Sequence, residues 1–346
     1  MTIFDLMQST QLVAYWEVLN QDEAPYPGEE LFPADKKRGI SLKWIKGSRG
    51  LPVVLKTSAY DVHAIPRPRV GFDKLTAEMP YFKESTYIDE ELRQELNLVL
   101  ETGNQAYIDS VMNKVFDDET RLLRGAAASR ERMRMMALTA GVVSMAANGQ
   151  AFTFDYGIPE DHKDTVSISW SNHATADPIE DIRVAKEKIQ EDTGAVITRA
   201  MCDSSTWRHI RNNEKIKKAI FVLTNGAGAV SDAKLRTYIM DELEIDVLVN
   251  DKRYKDENEQ TLKFMPANTF VMFPEGDLGK TWFGTTPAES DLMSGSVANV
   301  SVADTGVAVT TVQKADPVQV ETIISMICLP SFEAADQVYI LDTTAE

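Results

Sequence analysis

Hydrophobic residues recur at helical spacing near the start of the chain (Phe4, Met7, Leu12, Tyr15, Trp16, Leu19) and predict a short amphipathic helix over Met1–Asn20. Pro25, Pro27, Gly28 and Pro33 follow, so an extended arm is expected, and such an arm needs a surface to lie on. Between Ile40 and Tyr87 the pattern shortens to strand-like pieces, Ser41–Ile45, Leu51–Thr57 and Tyr60–Ile65, punctuated by Gly47, Gly50, Pro52, Pro66 and Pro68. They read as one long, protruding β-excursion.

From Ile88 the period becomes helical, first in a short segment to Leu100. A long helix is then predicted from about Asn104, a suitable N-cap, to Asn148–Gly149 as C-cap. Val111, Met112, Val115, Phe116, Leu122, Leu123, Ala126, Ala127, Met133, Met136 and Ala140 mark its apolar stripe, with Asp117 and Arg121 as an i,i+4 pair. At ~1.5 Å per residue it spans roughly 65 Å. A compact chain of this length has a radius of gyration near ~20 Å, so a flat, elongated subunit is expected, although Gly125 is able to kink the helix.

An α+β segment follows. Ala151–Tyr156 and Val166–Trp170 read as strands, and a helix starts at Asp177 as N-cap with Pro178 at N1 and runs to Gln190. Val196–Met201 reads as a strand; Ser205–Asn212, Glu214–Ala219 and Ser231–Leu243 read as helices. Ile245–Asn250 and Tyr254–Phe264 suggest a hairpin turning near Asp251–Arg253, before a strand at Thr269–Phe273. Alternation at the end predicts strands Val300–Ala303, Val307–Val312, Val318–Cys328 and Val338–Leu341, with a turn at Asp304–Gly306.

Composition narrows the function classes. The 346 residues suffice for about two packing units at ~150 residues each. Fifty-three acids against 36 bases leave a net charge of −17, so general affinity for phosphate backbones is a poor expectation. The first 35 residues hold no Lys or Arg, unlike a secretory leader. Ala137–Ala147, the longest mostly apolar run, falls short of the ~20 residues that cross a bilayer, so neither export nor a membrane is expected. Cys202 and Cys328 are too few for a disulfide framework and read as core thiols, which suits a reducing cytoplasm.

The placement of charge is more informative. Met1–Asp35 carries seven acids (Asp5, Glu17, Asp22, Glu23, Glu29, Glu30, Asp35) and no base. Lys36–Val70 carries nine bases (Lys36, Lys37, Arg38, Lys43, Lys46, Arg49, Lys56, Arg67, Arg69) against Asp61 alone. Adjacent blocks of opposite sign can pair within the chain, bind separate partners or dock on neighbouring copies; they can equally be two solvated faces. On the long helix Arg121, Arg124, Arg130, Arg132 and Arg134, opposed only by Glu131, form a basic patch that suits a polyanion or a neighbour's acids.

Catalytic patterns are near misses. Gly276–Thr281 resembles the end of a phosphate-binding loop but has Pro274 where another Gly is needed. Gly226-Ala-Gly228 hints at a dinucleotide fingerprint, yet Ser231 occupies the third small position. His63, His162, His173 and His209 show no ligand spacing, no Gly-x-Ser-x-Gly elbow is present, and Asp117-Asp118-Glu119 lies in the long helix where charges face water. Neither a catalytic residue, a cofactor site nor a metal site is expected. A multi-lobed, non-enzymatic subunit with reaching arms is.

The order of these parts resembles the major capsid proteins of tailed bacteriophages, of the lambda type with the Hong Kong 97 capsid fold. The stretches that carry the resemblance are Trp170-Ser171 with Ala176-Asp177-Pro178-Ile179-Glu180-Asp181-Ile182, Val249-Asn250-Asp251-Lys252-Arg253-Tyr254 leading into Phe264-Met265-Pro266-Ala267-Asn268-Thr269, and Asp316-Pro317 with Leu329-Pro330. The resemblance implies an α+β fold with an N-arm (1–37), an extended β E-loop (38–86), a P domain with a long spine helix (87–173), an α+β axial A domain (174–295) and strands returning to the P domain (296–346). It implies an icosahedral shell of hexamers and pentamers in the virion, assembled in the bacterial cytoplasm and expanding as DNA is packaged. A scaffolding protein, a portal protein, packaged DNA held without sequence-specific contact and, where recruited, a decoration protein would be its partners.

Inter-subunit contacts are expected at Lys36, Lys37, Arg38, Lys43, Lys46, Arg49, Arg67, Arg69, Glu29 and Glu30, and an inner-face basic patch at Arg121, Arg124, Arg130 and Arg134. The Hong Kong 97 capsid itself has a cleaved scaffolding segment ahead of the arm and Lys–Asn crosslinks. This chain opens on the arm, so a separate scaffold is expected, and with no matching Lys, Asn and acid, no self-crosslinking. An encapsulin-type nanocompartment is the alternative within the fold, and a nucleotide-using enzyme built around Gly226–Ser231 the alternative outside it.

Overall fold

The computed structural model describes residues 8–46, 73–88, 90, 94, 98, 105–147, 149–222, 228–293, 298–316 and 318–345. In chain order, helices α1 (Ser9–Asp22) and α2 (Pro27–Leu31) precede strands β1 (Ala34–Lys36), β2 (Ser41–Lys46), β3 (Asp73–Glu78) and β4 (Tyr81–Ile88), the long helix α3 (Gln105–Ala140), and the hairpin β5 (Val142–Ala147) and β6 (Gln150–Asp155). Then come β7 (Lys163–Thr165), α4 (Pro178–Thr193), β8 (Ile197–Cys202), α5 (Ser204–Asn212), α6 (Glu214–Ile220), α7 (Asp232–Leu243) and β9 (Asp246–Val249). The chain continues with β10 (Arg253–Lys255), β11 (Thr261–Lys263), β12 (Thr269–Pro274), β13 (Thr281–Phe283), β14 (Asn299–Ala303), β15 (Val307–Ala315), β16 (Val318–Pro330) and β17 (Tyr339–Asp342). The fold is α+β, as expected.

The chain divides into two compact units, one of Met1–Leu42, Ala77–Arg134 and Lys280–Ser331, the other of Lys43–Thr76, Met135–Gly279 and Phe332–Glu346. In the first, β1 lies parallel to β13, and β13, β16, β15 and β14 follow antiparallel, with β4 also on β16. Leu12 and Trp16 of α1 are buried, Ser9 bonds Asn299 and lies 2.8 Å from the Ser301 hydroxyl, and Trp16 Nε1 donates to Asp304 (3.1 Å) at the turn joining β14 and β15. The expected extended arm is therefore partly helical. Pro27 supplies the preset φ of a first helical position, and Glu29 and Glu30 sit in the first turn, where the helix dipole favours acids.

In the second unit the sheet order is β7-β17-β12-β8-β9, parallel at β7–β17 and β8–β9 and antiparallel around β12. Its core gathers Trp170, Ile182, Ile189, Trp207, Ile210, Leu235, Ile239 and Phe270. Asp177 caps α4, accepting from the Glu180 amide (3.4 Å), and Gly194 ends it at φ 73°.

Three predicted elements differ. The long helix has 36 residues, about 54 Å, and stops at Ala140 instead of Asn148. Gly141 takes φ 72°, and a Cβ there would sit 2.8 Å from Ile158, so a left-handed glycine ends the helix and Val142–Ala147 turn back as β5 against β6. Gly149, expected as the C-cap, makes the hairpin turn at φ 74°. Gly125 sits within the continuous helix without breaking it.

The hairpin expected between Ile245–Asn250 and Tyr254–Phe264 is instead β10 with β11, closed over Asp256–Gln260, while β9 pairs in parallel with β8. Parallel neighbours need a long crossover, and α5, α6 and α7 provide it. The strand expected at Val166–Trp170 forms one step earlier, at Lys163–Thr165; the Val166 and Trp170 amides bond the Asp342 and Thr343 carbonyls (2.9 and 3.0 Å), and the indole is fully buried.

The strands expected at Leu51–Thr57 and Tyr60–Ile65 lie outside the described residues. Of the helix expected over Ile88–Leu100, Glu90, Gln94 and Leu98 are described and helical, while Ile88 ends β4. Among the described residues no helix is long and apolar enough to cross a membrane.

Candidate assembly surfaces

The acids of the arm meet the bases of α3 within the same chain. Glu131 is fully buried; its carboxylate accepts from the Gly28 amide (3.0 Å) and lies 3.5 Å from Arg134 Nη1, which is 3.6 Å from Glu29. A Cβ on Gly28 would approach the Glu131 carboxylate to 2.5 Å, so glycine is what admits this contact. Arg134 Nε donates to the Thr281 hydroxyl (2.9 Å), and that hydroxyl donates to the Phe32 carbonyl (2.9 Å).

One turn earlier, Arg130 donates to Asp304 (2.7 Å), which also accepts from Trp16, and its guanidinium lies 5.7 Å from the Phe283 ring centre. Burial raises the Glu131 carboxyl above the usual range despite its amide and guanidinium partners, and burial lowers Arg134.

Of the expected basic patch, Arg130 and Arg134 are thus 5% and 2% exposed, with partners in their own chain. Arg121 and Arg124 stay at the surface, and Arg124 pairs with Glu23 (3.1 Å). Sequence reading recorded Glu131 only as an opposing charge; its place one helical turn from Arg134 was the available sign of a buried pair.

Of the expected inter-subunit residues, Lys36 pairs with Glu289, and Glu29 with Arg134. The preceding Asp35 pairs with Lys280 (2.7 Å), and Lys280 together with the Lys36 amide holds the Asp35 carboxyl low. The Lys37 amide bonds the Phe283 carbonyl (2.8 Å). Glu30, Arg38 and Lys43 are exposed. Arg49, Arg67, Arg69 and the side chain of Lys46 lie outside the described residues.

Sequence reading missed two charge clusters of the second unit. Lys263 bridges Asp203 (2.9 Å) and Asp251 (2.8 Å), tying β11 to the end of β8. Burial alone would raise Asp203, but Lys263 and the Ser205 and Thr206 donors outweigh it and hold the carboxyl far below its usual range. Asp161, His162 and Asp192 bring three ligand atoms within 4.8 Å, but the Lys188 ammonium already lies 3.1 and 2.8 Å from the two carboxylates, which push its pKa up to about 12.

Both cysteines are buried, and burial pushes the Cys328 thiol up to about 12. The Gly276–Thr281 stretch is a turn between β12 and β13, and Gly226 lies outside the described residues.

An arm folded on a long helix, a sheet behind it and a separate α+β lobe define the class of shell-forming capsid proteins, and comparison with known proteins agrees. The model of the phage major capsid protein E family matches residues 10–343, and the chain belongs to that family. It is a capsid protein that assembles with copies of itself into the icosahedral shell of a virion.

Among solved structures, a protein assigned as a prophage capsid protein of Escherichia coli CFT073 superposes with a TM-score of 0.59 at 14% identity, covering 97% of this chain and 99% of its own. A phage-related protein of Bordetella bronchiseptica RB50 gives 0.56 at 13%, covering 98% and 97%. A chain of the cyanophage A-1(L) capsid asymmetric unit gives 0.53 at 10%, covering 94% and 93%. These share the fold, of Hong Kong 97 type. No curated protein sequence matches the chain.

Proposed function

We propose that this chain is the non-catalytic tile of the head of a tailed double-stranded DNA phage, built in the host cytoplasm as hexamers and pentamers on a separate scaffold and joined to a portal. The observation that carries this reading is the family match across residues 10–343. Under it, residues 1–37 are the N-arm, 38–86 the E-loop, 87–173 with 296–346 the P domain, and 174–295 the axial A domain.

Lys37, Arg38, Lys43, Lys46, Arg49, Arg67, Arg69 and Glu30 are then the charges that reach neighbouring subunits, while Lys36 and Glu29 serve the arm's own docking. Arg121 and Arg124 are the surface members of the helix patch and the residues offered to packaged DNA, without sequence-specific contact. Expansion on packaging proceeds by rigid-body rotation of subunits. Each contact is weak, yet a closed shell sums many of them, so the assembled chain outlasts the free one.

Negative-stain electron microscopy and light scattering on the protein, alone and co-expressed with its scaffold, test the reading. Shells, tubes or hexamers are expected; a monodisperse monomer or dimer in both conditions overturns it. Shells filled with an enzyme instead of DNA would favour the encapsulin-type alternative. Reversing Lys37 and Arg38 to Glu is expected to impair assembly, and unimpaired shells would remove them from the interface.

A further inference from the structure

We infer that copies of this chain contact one another head to tail through the second unit, the acidic tip of the β10–β11 hairpin of one copy entering an arginine-lined cavity of the next; this deepens the shell reading above and rests on it. The cavity, about 320 Å³, lies where the parallel strands β8 and β9 end, with Ser204 just past β8, Asp251 just past β9, and Trp207, Arg208, Arg211 and Arg236 around it. Carboxyl ends of neighbouring parallel strands form such crevices, and the volume sits at the low end of the ~300–1,000 Å³ of binding pockets.

Its charges are nearly all answered within the chain. Arg211 pairs with Asp232 (3.0 Å), which also accepts from Trp207 Nε1 (3.1 Å). Arg236 lies 5.2 Å from the Trp207 ring centre and donates to the Val247 carbonyl. Asp251 accepts from Lys263 (2.8 Å) and from the Ser204 hydroxyl (2.9 Å). Arg208 is the exception: it is exposed and makes no hydrogen bond or ion pair among the described residues. An open guanidinium beside a cavity whose other cations are engaged asks for a carboxylate from elsewhere.

The β10–β11 hairpin supplies one of the right form. Asp256, Glu257 and Glu259 fall within four residues, and no base occurs between Lys255 and Lys263. Asp256 accepts from the Asn258 and Gln260 amides of the turn (3.0 and 2.7 Å), and Glu257 and Glu259 are exposed.

The base of the hairpin is bolted to the cavity rim, since Lys263 bridges Asp251 and Asp203. Strands of three residues, at ~3.3 Å each, carry the tip roughly 10 Å away from that base. Each copy therefore holds tip and cavity on one rigid lobe at different places. A contact between two different patches is heterologous, and its repetition closes into a ring when the rotation allows.

Three variants test this in the full chain with its scaffold: Arg208→Glu, Glu257→Lys with Glu259→Lys, and all three changes together. Circular dichroism and melting verify that each is folded before shells are counted by electron microscopy and light scattering. The cavity and tip variants are each expected to lower shell yield at least fivefold, and the combined charge swap to recover half or more.

Wild-type-like assembly of either partial variant overturns the contact, as does a folded triple variant that recovers nothing. Loss in Arg208→Glu beside intact assembly of the tip variant means a different occupant and equally overturns it. Wild-type protein that forms no oligomer of any size overturns the shell reading as well; wild-type shells beside intact variant shells overturn the contact alone.

Discussion

Helices α3 and α4 both bury an apolar stripe, but only α3 also buries a cluster of ions where the arm docks. On α3 Leu123, Met133, Met135 and Leu138 are at most 1% exposed, and beside them Glu131, Arg134 and Arg130, where the arm docks, are at 0%, 2% and 5%. On α4 they are Ile182, Ala185 and Ile189, at no more than 1%. Apolar packing holds α4 whatever the charge state of its neighbours, whereas the arm, which also buries Leu12, Trp16, Leu31 and Phe32, depends in addition on each buried ion having its partner. An element that must be held in one register is served by ionic specificity, and a lobe that needs only to stay folded is served by area.

Arg134→Met should separate the two means most sharply, because it leaves Glu131 buried without its guanidinium. A loss of about 3–5 kcal/mol in denaturant unfolding is expected, mostly recovered when Glu131→Leu is added. Burial already holds the folded Glu131 carboxyl above its unfolded value, so protonation favours the folded state, and the loss should shrink as pH falls through the raised folded value. A loss that does not vary with pH would mean that Glu131 is not the charge left behind.

Ile182→Ala should cost a similar or slightly smaller amount, about 2–4 kcal/mol, with no dependence on pH between 5 and 8. A marked pH dependence there would break the contrast between the two helices.

Lys263→Met tests the ionic exception inside the apolar lobe and should cost about 2–3 kcal/mol at neutral pH. Asp203 and Asp251 have depressed folded values, so their contribution is complete above about pH 4 and is lost as pH falls towards those values; the raised value of Lys263 keeps it until above about pH 10. Wild type and variant should converge in acid, which a urea titration at several pH values checks.

The smallest effect belongs to Arg124→Ala. Its pair with Glu23 is exposed on both sides and should be worth about 0–0.5 kcal/mol, vanishing in high salt. A loss above about 1 kcal/mol would show that arm docking depends on surface charge as well.

Local signals were legible where a single residue type carries the physics. Asp177–Pro178 marked the start of α4, Ser231 capped α7, and the alternation of the last fifty residues gave β14, β15 and β16 nearly in place. Gly141 escaped notice because Val142–Ala147 suits a helix stripe as well as a strand, and only the close approach of Ile158 and pairing with β6 decides. The hairpin expected between Ile245–Asn250 and Tyr254–Phe264 does not form because β9 pairs with β8, a pairing set by the crossover and invisible locally.

By itself the sequence determined the α+β class, the long helix with its apolar stripe, the opposed acidic and basic blocks, and the order of parts that places the chain in its capsid family. Periodicity, capping chemistry and charge order are properties of neighbours in the chain, so they can be read along it. Tertiary structure alone decided which charges neutralise which: that Arg134 answers Glu131 and Glu29, that Lys36 answers Glu289, and that Arg208 answers no acid among the described residues. Coulomb and desolvation energies depend on distance and burial, and residues more than a hundred positions apart acquire both only when the chain has folded.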